Sequence, residues 1–152
     1  MTSSPVESPG PVTADDVRAT VDAAIATLRH AEGKYWQTTA GGLTWSCWET
    51  VEHMADDLFA YAGQLAPATP ALTAYVPFGW KRRPDGPALT VYADADQGVP
   101  GLLQVLDASG GLLAALVRVA PPEQRGFHPL GLAELPGHAP LTKWRWYADV
   151  RG

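Results

Sequence analysis

Pro67 and Pro70 close off a stretch in which Trp48, Val51, Ala55, Leu58, Phe59, Ala62 and Leu65 recur every three or four positions. That spacing stacks side chains on one face of an α-helix, and a proline ring is tolerated in such a helix only at its first turn. The start is equally defined. Ser46 stands three residues before Glu49, the pairing in which the hydroxyl and the carboxylate each satisfy a backbone donor left open at a helix N-terminus. The sequence therefore predicts a helix over residues 46 to 65.

The same signals recur on either side. Thr13 precedes Asp16 by three positions, Val17, Val21, Ala24, Ile25 and Leu28 supply an apolar row, and Gly33 ends it, which predicts a helix over residues 13 to 32. A third row, Leu102, Leu103, Leu106, Leu112, Leu113, Leu116 and Val117, predicts a helix over residues 100 to 119. Within it, Gly110-Gly111 costs about 1 kcal/mol per glycine relative to alanine, and such a pair permits close packing or a kink. The expected class is mainly α, an antiparallel bundle of three clear helices with a fourth that is short or degenerate.

Between the second and third helices, Tyr75-Val76-Pro77-Phe78 and Leu89-Thr90-Val91-Tyr92 flank the turn-forming Arg83-Pro84-Asp85-Gly86-Pro87. Two extended segments in an irregular or hairpin-like insert are expected there. Beyond Pro121-Pro122, glycine and proline are too dense for a long helix, and only Leu141 to Val150 can form a short one. The expected organisation is a disordered leader over residues 1 to 12, one helical domain over 13 to 133 and a divergent tail over 134 to 152.

With 152 residues and 46% hydrophobic content, the chain suffices for one core and not for two. A net charge of −5 argues against nucleic acid or an anionic membrane as partner, since both demand a basic surface. The longest basic run, Lys81-Arg82-Arg83, adjoins a turn and reads as a loop tip. Cys47, the single cysteine, excludes an internal disulfide and any zinc-finger spacing, so a reducing cytoplasm is expected. No signal peptide is legible in the first residues, and no apolar run is expected to reach membrane-spanning length.

The chemistry-bearing residues concentrate on the second helix. Glu49, His53 and Asp57 fall in one column with Asp56 beside it, on the side away from the apolar row. Carboxylates four residues either side of an imidazole can orient it, raise its basicity or contribute to a metal site. An acidic helix face with a histidine in it is more often simply solvated, and spacing alone leaves both readings open. Cys47 in the first turn has a dipole that favours a thiolate, yet between Trp45 and Trp48 it reads as a small packed side chain. Trp36, Trp45 and Trp48 can line a pocket, with helix packing their default role. His30 suits the carbonyl-rich end of the first helix, and His128 lies in a loop-like stretch. Glu134 and His138 have the four-residue spacing of two ligands on one helical face, with Pro136 and Gly137 between them to break that helix.

Taken together, "LTWSCWETVEHMADDLFAYAGQLA", the amphipathic helix before it, and the later "YVPF" and "GLLQVLDASGGLLAALVRVAPPEQRGFHPLGLA" resemble the mycothiol-dependent maleylpyruvate isomerase-like proteins of actinobacteria, in the DinB-like superfamily. The resemblance spans roughly residues 13 to 133. It implies an antiparallel four-helix bundle with one divalent metal, zinc or nickel, at one end. The implied ligands are a histidine of the second helix, matched by His53, and an acid and a histidine four apart, for which Glu134 and His138 have the spacing. Here the chain departs from the pattern, because the long fourth helix that carries this pair in the family is replaced by "LAELPGHAPLTKWRWYADVRG".

The function implied is that of a metal-binding isomerase or transferase that uses zinc and mycothiol, with a small-molecule thiol and an electrophilic substrate as its partners. The alternative is a non-catalytic helical remnant or interaction domain, homodimeric through an apolar face that a missing helix leaves uncovered.

Overall fold

The computed structural model describes residues 12–121, 124–128 and 131–134. Within them the fold is mainly helical, built from α1 (Ala14–Arg29), α2 (Cys47–Leu65) and α3 (Gly98–Val119). Both capping boxes close. The Asp16 amide donates to Thr13 Oγ1 at 3.1 Å while the Thr13 amide donates to Asp16 Oδ2 at 2.8 Å. At α2 the Glu49 amide donates to Ser46 Oγ at 3.1 Å, and the Ser46 amide returns to Glu49 Oε2 at 2.9 Å. α1 ends at Arg29, three residues before the expected limit, where the chain tightens into turns at His30 and Ala31. α3 begins earlier than expected, at Gly98, whose φ of +60° takes the left-handed conformation that glycine adopts without penalty.

α3 lies between the other two helices. It packs extensively on both, whereas α1 and α2 make no close backbone approach to each other among the described residues. Gly110 makes the α1 contact possible, since a Cβ there would stand 2.7 Å from Val21 Cγ2. The helix pair is antiparallel: Asp15 meets Arg118, and Arg18 reaches back to Asp107. The core comprises Val21, Ile25, Trp36, Trp48, Val51, Ala55, Leu102, Leu103 and Leu106, with Cys47 packed against it as a small side chain.

The expectation that all helices alternate in direction requires correction at α2 and α3. Ala93, just ahead of α3, is bonded to Glu52 near the start of α2, and Gln124, just after α3, donates to the carbonyl of Leu65 at the end of α2. Start lies near start and end near end, so the two helices run the same way. At 1.5 Å per residue, the 19 residues of α2 span about 28 Å, a distance the connection from Leu65 to Gly98 recrosses along the side of the bundle.

That connection carries a two-residue antiparallel ladder, β1 (Lys81–Arg82) with β2 (Ala88–Leu89), in the register Lys81 to Leu89 and Arg82 to Ala88. Asp85 in the intervening turn has a φ of +57°. Beyond α3, β3 (Arg125–His128) pairs antiparallel with β4 (Gly131–Glu134). No helix begins between α3 and Glu134 among the described residues, where this hairpin lies instead. The stretch from Leu141 to Val150, expected to be a short helix, and the leader over residues 1 to 11 lie outside the described residues.

One further expectation is corrected. The helical residues from Ala95 to Val119 contain an 18-residue window with a mean hydropathy of 1.5, long and apolar enough by those measures to cross a membrane. Leu102, Leu103, Leu106 and Ala114 of this stretch are buried, as in the core helix of a bundle, while Leu112 and Val119 are exposed.

Candidate functional site

Two adjacent columns of α2 define the site. Glu52, Asp56 and Gln64, in one column with Ala60, face the returning connection, and the three polar side chains fasten it to the helix. Glu52 is fully buried. Both of its oxygens receive the guanidinium of Arg83, with Nη2 to Oε1 at 3.2 Å, and Oε1 also accepts from the Ala93 amide at 2.9 Å. A buried carboxylate persists only when paired and fully hydrogen-bonded, and this one is. Arg83 also lies over the Tyr92 ring, 4.6 Å from its centroid. Burial works against its charge, but the Glu52 carboxylate more than offsets that, with Glu49 and Tyr92 adding, so its pKa is raised above the ordinary guanidinium value. Gly86 lets the turn come down onto this pair, because a Cβ there would stand 2.6 Å from Glu49 Oε1.

One turn on, Asp56 Oδ1 accepts two backbone hydrogen bonds, from Thr90 and Val91, each at 2.8 Å. Two turns further, Gln64 Oε1 accepts from the Val76 amide at 2.9 Å. Between them Phe78 lies on Gly63, where a Cβ would come within 2.4 Å of the ring. Phe59 supports the same ring at 5.3 Å between centroids.

The second column carries His53, Asp57 and Tyr61. Between the two columns and the connection lies a half-open cavity of about 410 Å³. Its floor is His53, Asp56, Asp57 and Gln64, and its aromatic walls are Tyr75, Phe78, Trp80 and Phe127. Phe127 of β3 meets Tyr75 edge to face at 4.9 Å, and its amide donates to the Ala71 carbonyl, so the hairpin closes one end of the cavity. Trp80 is 66% exposed and Tyr75 53%, so the open side is rimmed by aromatic surface in contact with solvent.

His53, the expected second-helix ligand, is three-quarters buried. Its Nε2 stands 3.9 Å from Asp57 Oδ2, and Trp45 packs against its ring edge to face at 5.0 Å. Its Nδ1 is buried and has no hydrogen-bond partner among the described residues. The side chain is thus neither fully exposed nor enclosed. The other two expected ligands are not brought to it within the described residues: the backbone of Glu134 ends β4, its side chain lies outside the described part, and so does His138. Among the described residues no three His, Cys, Asp or Glu side chains are grouped to hold a metal. His30 is exposed at the end of α1.

Glu52 and Arg83, which organise the site, were not singled out from the sequence. A signal existed for Glu52, since it stands four residues after Trp48 and three before Ala55, inside the apolar row. Trp36 and Trp48 are core residues, whereas Trp45 and Trp80 belong to the site. Compared with known proteins, the chain matches no family model, no curated protein and no solved structure.

Proposed function

We propose that the protein is a DinB-like helical protein of the mycothiol-dependent maleylpyruvate isomerase-like kind, a metal-binding isomerase or transferase acting on a small electrophile. The observation that supports this reading is His53: the residue that carries the resemblance lines a ligand-sized cavity and keeps a buried Nδ1 with no hydrogen-bond partner among the described residues. The described residues alone do not make a metal site, and the reading requires Glu134 and His138 as further ligands. A divalent metal, zinc foremost, would supply thiolate activation by lowering the pKa of a bound thiol such as that of mycothiol. The chain's own residues do the rest. Asp57 places a carboxylate 3.9 Å from the imidazole, Trp45 packs on one edge of the ring, and the aromatic walls shelter a small substrate. A single, reduced cysteine suits a cytoplasmic location.

Calorimetric titration of the full chain with zinc tests the proposal. One-to-one binding that disappears in His53→Ala supports it, because three converging ligands bind far more tightly than a lone histidine. Stoichiometric binding absent from both proteins overturns it.

A second reading, a non-catalytic helical interaction domain able to form a homodimer, is favoured by the exposure of Leu112 and Val119 on one face of α3. That reading predicts self-association measurable by analytical ultracentrifugation together with no zinc stoichiometry.

A further inference from the structure

The walls of the cavity on α2 suit a particular kind of guest. Phe78 is braced by Gly63 and Phe59 and is still 39% exposed. Trp80, more exposed again, makes no ring contact or hydrogen bond with another described residue. Together with Phe127 these rings line a hollow of about 410 Å³, and aromatic surface left in water around a hollow marks a binding site.

Charge narrows the choice. Asp56, in the same lining, accepts at Oδ1 from the Thr90 and Val91 amides, which are neutral donors, and it forms no ion pair with another described residue. Arg83, one turn of α2 away, is already engaged by Glu52 and the Tyr92 ring. The described lining contains no lysine or arginine, and Lys81 and Arg82 of β1 lie outside it. A carboxylate among aromatic rings favours a cation.

The type of cation follows from what the walls lack. A hydrated metal ion exchanges its water for several oxygen ligands, and the rings of Phe78, Trp80 and Phe127 offer none. A primary ammonium brings N–H donors that each require an acceptor. A quaternary ammonium has no donor to satisfy, spreads its charge over an apolar methylated surface and is attracted to ring faces. We infer that the cavity between α2 and the returning connection binds a compact quaternary ammonium group, with Phe78, Trp80 and Phe127 around it and Asp56 as its counter-charge. This site needs no metal and goes beyond the isomerase reading.

Calorimetric titration of the metal-free full chain with choline tests it, against the uncharged isostere in which a tert-butyl group replaces the trimethylammonium. Choline should bind one to one and about tenfold more tightly than the isostere. Trp80→Leu, at an exposed position, should weaken choline about tenfold with an unchanged circular dichroism spectrum. Asp56→Asn keeps an oxygen for the two amides while removing the charge, and should erase the preference for the cation. No saturable choline binding, equal affinity for the isostere, or undiminished binding in Trp80→Leu each overturns the inference. The metal reading is decided separately, because it rests on zinc stoichiometry and its loss in His53→Ala, neither of which enters this titration.

Discussion

Arg83 reaches across thirty-one residues to place its guanidinium on the fully buried carboxylate of Glu52. Glu52 then presents its remaining capacity to the Ala93 amide, so one carboxylate ties the turn of the β1–β2 hairpin and the segment that follows β2 to the second turn of α2. Removing the cation alone should be far worse than removing both charges. Arg83→Met leaves an uncompensated charge in the core and should cost about 3–5 kcal/mol, whereas Arg83→Met with Glu52→Leu should recover most of it. Urea unfolding of the two variants checks the ordering.

Asp56 offers a test confined to the cavity wall. Its Oδ1 accepts from two backbone amides, and Asp56→Ala leaves both without this partner. The expected loss is about 1–3 kcal/mol, with faster amide exchange at Thr90 and Val91 as the local signature.

Gly110 and Gly111 should respond in opposite ways to the same substitution. Alanine at 110 would place a Cβ within 2.7 Å of Val21 Cγ2 and force α1 and α3 apart, at about 1–3 kcal/mol. At 111 the nearest atom is Arg18 Nη1 at 3.8 Å, an ordinary contact, so alanine there should gain about 0.5–1 kcal/mol of helix propensity. Val21→Ala should rescue Gly110→Ala and do nothing for Gly111→Ala in a double-mutant cycle.

The α1 cap should be sensitive to acid. The Thr13 backbone amide, then the Thr13 hydroxyl, hold Asp16 below the ordinary carboxylate pKa of 3.8. Its folded value is thus depressed, so the cap's contribution is complete above that pH and fades as pH falls through and below it. Protection of the Val17 and Arg18 amides, taken relative to the intrinsic exchange rate at each pH, should fall below about pH 4 in the native chain. Asp16→Asn should remove that pH dependence.

What could be read in advance depended on the range of the interaction. Thr13 with Asp16 and Ser46 with Glu49 are separated by three residues, and their boxes placed the helix starts to within one position. The apolar rows named the core side of α1 and α2 for the same reason. Glu52 and Arg83 are local anomalies whose meaning arises only when the chain between them folds back, and nothing near either residue specifies the other. The direction of α2 relative to α3 was equally hidden, because it is set by where a long connection ends. The acidic column was half legible: Glu49, His53 and Asp57 were visible as a row, while the row one step round the helix, Glu52, Asp56 and Gln64, carries the tertiary bonds.

The central place of α3 carries a consequence for synthesis of the chain. α1 finds its ion-pair partners 89 and 103 residues downstream and makes no close backbone approach to α2, the helix that follows it. As the polypeptide leaves the ribosome from its N-terminus, the helix against which α1 makes its backbone-close packing is the last of the three to emerge. A helical protein of this size would ordinarily fold through local contacts, yet this order commits it to a long loop closure before its first interhelical packing is complete. The Val21 contact with Gly110 is thus among the last that the growing chain can make, although the two helices it joins are the first and the last of the three.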